Sequence, residues 1–170
     1  MNRPHYILLP VNPFFIGFSL IVAFFLNLMP WGRLMMVPDF VALVLVFWNI
    51  HQPRKVAVGI AFFMGLLMDL HNSALWGENA LAYTLLSYFA ITIHRRVLWF
   101  PLPIQLLHVL PLLLCAQGVE LVVRLLLNGK FPGWMYFSES VVGALLWPLI
   151  TVLLLAPQRR AVDRDETRPI

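Results

Sequence analysis

Residues 104–127 read IQLLHVLPLLLCAQGVELVVRLLL, a run in which only Glu120 and Arg124 carry a formal charge. A helix of this length covers about 36 Å at 1.5 Å per residue, which exceeds the roughly 30 Å of a membrane's hydrocarbon layer. The run is apolar throughout, whereas a strand of a membrane barrel alternates between apolar and polar residues over about ten positions. The segment therefore predicts an all-α protein that spans a lipid bilayer.

The rest of the chain has the same character. Its 170 residues are 61% hydrophobic and 12% charged, with a mean hydropathy of +0.81, whereas soluble domains are roughly 45–50% apolar and about 25% charged. The sequence predicts one integral-membrane domain over residues 1–157 and a charged cytoplasmic tail over 158–170. Charges and prolines divide the membrane domain into six predicted spans: 6–30, 35–51, 56–75, 79–94, 104–127 and 137–156.

The positions of lysine and arginine predict the orientation, because cytoplasmic loops are enriched in both. With the N-terminus in the cytoplasm, Arg33, Arg124 and Lys130 fall outside and the other nine of the 12 basic residues fall inside. The chain is therefore expected to cross the membrane several times with both termini in the cytoplasm. The net charge of +4 does not indicate nucleic acid binding, because the basic residues are too dispersed to follow a phosphate backbone.

Five acidic residues lie outside the tail, and in this orientation all of them fall toward the outer side. An acid at the centre of a membrane helix costs at least about 2.5 kcal/mol, so such groups usually face protein, water or an opposite charge. Glu120 and Arg124 are one helical turn apart with the acid first, which favours an ion pair within the helix. The five acids are Asp39, Asp69, Glu78, Glu120 and Glu139.

Three roles for these acids remain open. In the first, the acids lie at the water interface or pair with other groups inside the bundle, and so fix how the helices dock. In the second, they form a polar surface that a partner recognises. In the third, they belong to a proton or ion pathway. The pathway is the least favoured, because the inner halves of spans two, three, four and six carry no acid to continue a relay, and His51 and His94 lie at the cytoplasmic interface. Two pairs of small residues, Ala61 with Gly65 and Ser140 with Ala144, indicate faces where helices approach closely.

Motifs for catalysis are missing from the sequence. It has no zinc-protease motif, no nucleophile elbow and no phosphate-binding loop, and no two histidines have the spacing of metal ligands on one helix. Asp39 and Asp69 come nearest to a catalytic carboxylate pair, but both lie near span ends, where water reduces any pKa shift. The sequence predicts a protein that is not an enzyme and that binds no cofactor or metal.

Several short segments between residues 37 and 90 together match the sequence pattern of a known protein family. VPDF at 37–40, FW at 47–48, GLLMDL at 65–70 and LWG at 75–77 follow the order and spacing of the central pattern of the MreD family. The chain resembles this family of rod shape-determining membrane proteins, although Trp76 and Glu78 are not part of the pattern. The matching positions are Pro38, Asp39, Gly65, Asp69 and Gly77.

The resemblance implies a multi-pass scaffold subunit of the cell-elongation machinery in the bacterial inner membrane. Such a subunit joins the bitopic MreC protein and thereby helps to connect cytoplasmic MreB filaments to the peptidoglycan synthases. The outer halves of spans two and three are the predicted surface for an MreC-like partner, and self-association is left open. The candidate partner-binding or structural residues are Pro38, Asp39, Gly65, Asp69, Gly77, Glu78, Glu120, Arg124 and Glu139.

The family is also similar in design to the substrate-binding subunits of energy-coupling-factor vitamin transporters. A membrane subunit of a small-molecule transporter is therefore the alternative function. Those subunits dock through a face of small residues on their first helix, whereas span one here carries bulky Phe14, Phe18 and Phe25. The sequence favours the scaffold.

Overall fold

A computed structural model describes residues 11–31, 37–72, 77–129 and 131–158. Within these ranges the backbone forms six α-helices and two short 3-10 helices, Trp134–Phe137 and Ala156–Gln158, and no strand. The predicted all-α architecture is confirmed, while the parts of the predicted spans at 6–10, 35–36 and 73–75 lie outside the described ranges. The α-helices are α1 (Pro13–Leu28), α2 (Phe40–His51), α3 (Val58–Asn72), α4 (Glu78–Leu98), α5 (Leu102–Asn128) and α6 (Ser138–Leu155).

The end of α4 differs from the prediction. The sequence placed the end of span four at His94, because two arginines follow it, but the helix continues to Leu98. Arg95 and Arg96 therefore lie in the last turn of α4. Cations are favourable there, since the carbonyl groups at the end of a helix carry partial negative charge.

Helix α2 is the centre of the bundle. Every residue from 41 to 50 is buried, and the helix packs against α1, α4, α5 and α6. Phe47 and Trp48 are fully buried, and the ring of Phe47 lies 6.1 Å from that of Trp147 on α6. A helix that is apolar on all sides needs an apolar environment around it, and for α2 the neighbouring helices supply it.

Consecutive helices run in opposite directions. Asn27 near the end of α1 accepts a hydrogen bond from the backbone of Phe40 at the start of α2 (2.9 Å), and Arg124 near the end of α5 pairs with Glu78 at the start of α4. We call this end of the bundle, where α1, α3 and α5 finish and α2, α4 and α6 begin, the acidic end. The start of α1 and the end of α6 are both at the opposite end of the bundle.

The outside of the bundle is strongly apolar. Two helical stretches, Leu102–Leu127 and Trp134–Gln158, are long and apolar enough to cross a membrane, and α1, α2 and α3 are apolar but shorter. An apolar exterior of this kind suits contact with lipid tails. Large exposed side chains include Phe14, Phe18, Phe25, Phe63, Leu126, Leu149 and Leu153.

The helices differ in length, so the polar residues at the acidic end lie at different depths in the bundle. The 12 residues of α2 cover about 18 Å and the 27 residues of α5 cover about 40 Å. Asp39, which precedes α2, lies beside Gln117 and Glu120 of α5, about two turns before α5 ends at Asn128. The start of α2 is therefore recessed below the end of α5, and Asp39 and Glu139 line the recess.

Candidate functional site

Asp39 joins three helices at the start of α2. Its Oδ1 accepts hydrogen bonds from the backbone N–H of Ala42 (3.0 Å) and from Asn27 Nδ2 on α1 (2.8 Å), and its Oδ2 accepts one from the Tyr83 hydroxyl on α4 (2.5 Å). An acidic residue at this position satisfies a free N–H group and interacts favourably with the helix dipole. Asp39 thus caps α2 and ties it to both neighbours.

Asp69 caps a helix to which it does not belong. Its Oδ1 accepts from the backbone N–H and the side-chain amide of Asn79 (2.8 and 2.9 Å), and its Oδ2 accepts from the N–H groups of Gly77 (2.9 Å) and Ala80 (3.3 Å). The Asp69 side chain is buried on α3 and completes the first turn of α4. Gly77 has φ +99°, a conformation that side chains other than that of glycine rarely adopt.

Gly65 lies one helical turn before Asp69 and permits this contact. A Cβ atom at Gly65 would lie only 2.6 Å from both the backbone N of Ala80 and the carbonyl O of Asn79. Ala61, one turn earlier, is fully buried. The predicted close approach at Ala61 and Gly65 is confirmed, and the helix that approaches is α4 of the same chain.

Arg124 and Glu78 form an ion pair between α5 and α4. The predicted pairing of Arg124 with Glu120 is wrong, because Glu120 accepts a hydrogen bond from the Tyr136 hydroxyl instead. The guanidinium group of Arg124 lies 5.3 Å from the centre of the Tyr136 ring. Glu78 is 2% exposed, and a carboxylate so deeply buried requires a charge partner, which spacing within α5 could not reveal.

Gln117 on α5 holds the start of α6. Its Nε2 donates to Glu139 Oε2 and to the carbonyl of Tyr136 (both 3.1 Å), and its Oε1 accepts from the Ser140 hydroxyl (2.6 Å). The sequence analysis did not single out Gln117, Asn27 or Tyr83. The sequence did carry a signal for each of these residues, which is a polar side chain inside an apolar run.

Two hollows adjoin this network. A cavity of about 20 Å³ lies between α2, α5 and α6 beside Asp39, Gln117 and Glu139, with room for about one water molecule. An open cleft of about 210 Å³ lies above the start of α2, and we call it the α2 cleft. Its lining residues are Asn27, Val37, Pro38, Asp39, Met68 and Glu139.

The α2 cleft changes the predicted recognition surface. Because residues 41–50 are enclosed by other helices, the outer half of α2 offers no face to a partner. Val37, Pro38 and Asp39, which precede the helix, line the α2 cleft and meet Met68 of α3 there. The two predicted segments therefore come together at one cleft and not along two parallel helix faces.

The acids are arranged for internal bonding. All five have a hydrogen-bond or ion-pair partner on another helix or on the 3-10 turn before α6. Asp39 and Asp69 share no donor, so they do not form a carboxylate pair of the catalytic type. In the part of the chain that the structure describes, no three His, Cys, Asp or Glu side chains are grouped as a metal site would need.

The similarity of this chain to known proteins extends over the whole bundle. A family model described as rod shape-determining protein MreD matches residues 10–156. The rod shape-determining protein MreD of Haemophilus influenzae is 29% identical over 146 residues, which cover 82% of this chain and 88% of that protein. No solved structure matches the chain. The sequence match thus extends beyond the segment 37–90 to all six helices.

Proposed function

Because the chain belongs to the MreD family of rod shape-determining proteins, we propose that it is a non-enzymatic scaffold of the cell-elongation machinery that binds an MreC-like bitopic protein at the α2 cleft. The partner links this scaffold to MreB filaments on one side of the membrane and to peptidoglycan synthases on the other. The observation that carries the proposal is the cleft itself, an open hollow at the meeting point of the family-like segments around Asp39 and Met68.

The walls of the α2 cleft are held in place before any partner arrives. Asn27 is bonded to Asp39, and Asp39 is bonded to Tyr83, while Glu139 is bonded to Gln117. A preformed site loses little conformational entropy on binding. Two carboxylates on its rim suit a partner that carries a basic residue beside its membrane helix.

Co-purification with an MreC-like partner tests the cleft. Val37 lines it without using its side chain in the hydrogen-bond network, so Val37→Trp fills the cleft and leaves the network in place. Val141→Trp is the matched control, since Val141 is 47% exposed on α6 and does not line the cleft. We expect Val37→Trp to lower partner recovery by about tenfold or more, as blocking a binding hot spot does, and equal recovery of both variants contradicts the proposal.

The orientation belongs to the same proposal. With both termini in the cytoplasm, the α2 cleft opens toward the periplasm. Reporter fusions after Pro53 and after Pro101, which follow α2 and α4, are expected to report a cytoplasmic location. A periplasmic signal at either position contradicts the six-span arrangement.

The transporter alternative receives less support from the geometry. Sites for small organic molecules usually have volumes of about 300–1,000 Å³. The enclosed cavity beside Gln117 holds about 20 Å³. The α2 cleft and a cleft of about 380 Å³ beside Arg95 and Trp99 are both open at the surface and do not enclose a ligand. A thermal shift with a vitamin would favour transport over the scaffold.

A further inference from the structure

A second hollow lies at the end of the bundle opposite the acidic end. Helix α4 ends at Leu98 and α5 begins at Leu102, so the chain turns sharply there. The turn and the last turn of α4 border an open surface cleft of about 380 Å³, which we call the α4–α5 corner. Its lining residues are Arg95, Arg96, Trp99 and Phe100.

The α4–α5 corner is strongly basic. Arg95 and Arg96 are both exposed, and the ion pair found among the described residues joins Arg124 to Glu78. The acids of the described helices lie at the acidic end, which is separated from the corner by the 21 residues of α4, or about 31 Å. The two guanidinium groups therefore have no described carboxylate to neutralise them.

The aromatic wall of the corner is fixed in position. The ring of Phe100 stacks on the imidazole of His108, with centroids 5.0 Å apart and an angle of 23° between the planes. The carbonyl of Phe100 accepts a hydrogen bond from Gln105 Nε2 (3.0 Å). Trp99 projects beside it and is 90% exposed. The corner thus combines two arginines that have no carboxylate partner among the described residues with an aromatic wall in which Phe100 is held in place.

The length of α4 places this corner at the membrane surface. About 31 Å of helix is comparable to the roughly 30 Å hydrocarbon layer, and the exposed Arg95, Arg96 and Trp99 are residue types that anchor a helix end at the level of the lipid head groups. Tryptophan is enriched at that level. Ile104 and Leu107 on the adjoining turns of α5 are exposed and provide an apolar surface for acyl chains.

We propose that the α4–α5 corner binds the phosphate group of an anionic phospholipid. Arg95 and Arg96 donate hydrogen bonds to the phosphate oxygens, for which the planar guanidinium group is well matched. Trp99 and Phe100 pack against the glycerol and the upper part of the acyl chains. The apolar wall next to the arginines favours a lipid over a soluble phosphate, which would gain nothing from it.

The test uses the purified full-length protein in a neutral detergent. Phosphatidylglycerol is titrated while the melting temperature is recorded, with phosphatidylcholine and inorganic phosphate as separate titrations. Arg95→Gln and Arg96→Gln are compared with Arg54→Gln, a matched control because Arg54 is also exposed and lies in the α2–α3 loop at the same end. All three variants remove one exposed positive charge, so a general loss of charge affects them equally.

We expect phosphatidylglycerol to raise the melting temperature of the wild type and of Arg54→Gln. The apparent affinity of each corner variant should fall by about tenfold, as loss of a charged hydrogen bond predicts, and phosphatidylcholine should have little effect. An equal response of the wild type to phosphatidylcholine, or an equal response to inorganic phosphate, overturns the proposal. So does an Arg54→Gln variant that loses as much affinity as the corner variants.

Discussion

At the scale of single residues, the most informative side chains are those that hold helix ends together. Asp69 supplies the cap of α4 from α3, and Asp39 caps α2 while bonding to α1 and α4. The matching positions of the family pattern, Gly65 and Gly77, lie within the same contact between α3 and α4 as Asp69. Their spacing in the sequence is thus explained by helix packing.

Gly65→Ala is expected to destabilise the bundle. The added methyl group must push α3 away from the backbone of Ala80, and overpacking of this kind costs about 1–3 kcal/mol. Gly59→Ala is the matched control on the same helix, because a Cβ atom there meets nothing within 4 Å, and it should be neutral or slightly stabilising. Thermal unfolding in detergent measures both, and equal melting temperatures contradict the close contact.

Asp69→Ala is expected to lower the free energy of unfolding by about 1–3 kcal/mol, because buried N–H groups at the start of α4 lose their acceptor. Asp69→Asn keeps one acceptor oxygen and should fall between the wild type and the alanine variant. Chemical or thermal unfolding in detergent provides the measurement. If Asp69→Ala is as stable as the wild type, the carboxylate does not cap α4.

At the scale of elements, the bundle is organised around an enclosed α2. Phe47→Ala should destabilise the protein by about 3–5 kcal/mol, because it leaves a cavity in a fully buried position. Phe18→Ala makes the same chemical change on α1, where the side chain is 62% exposed, and should have a much smaller effect. Comparable melting temperatures for the two variants would contradict the central position of α2.

The pairing of α4 with α5 has its own test. Removal of Arg124 leaves the buried Glu78 without its charge partner, so Arg124→Gln should cost about 3–5 kcal/mol. A double-mutant cycle with Glu78→Gln is expected to give a large coupling energy, and a cycle of Arg124→Gln with Glu120→Gln a smaller one. The reverse order would favour the pair within α5 that spacing alone suggested.

At the scale of the whole molecule, the prediction from the sequence agrees best with the structure where the length of an apolar stretch determines the outcome. Six apolar stretches became six helices, because an apolar stretch without water must satisfy its own backbone. Side-chain partners were less predictable. Arg124 lies one turn from Glu120 in the sequence, but its partner Glu78 is 46 residues away, and only the three-dimensional packing brings them together.

The same limit applies to the proposed recognition surface. Sequence pattern located the important segments at Pro38–Asp39 and Gly65–Asp69 but could not show that α2 is enclosed. It also passed over Gln117 and Tyr83, since one polar residue in an apolar run does not reveal which helix it faces. The α2 cleft follows from the recess above a short helix, and helix depth depends on how all the neighbours pack.

The central claim is that this rod-shape scaffold acts through the α2 cleft, and complementation of cell shape tests it most directly. The native gene is depleted while wild type, Val37→Trp or Val141→Trp is expressed at equal membrane levels, and cells are measured by microscopy. We predict rods with the wild type and Val141→Trp, and round cells with Val37→Trp. Rods with all three, or rods after depletion alone, would contradict the account.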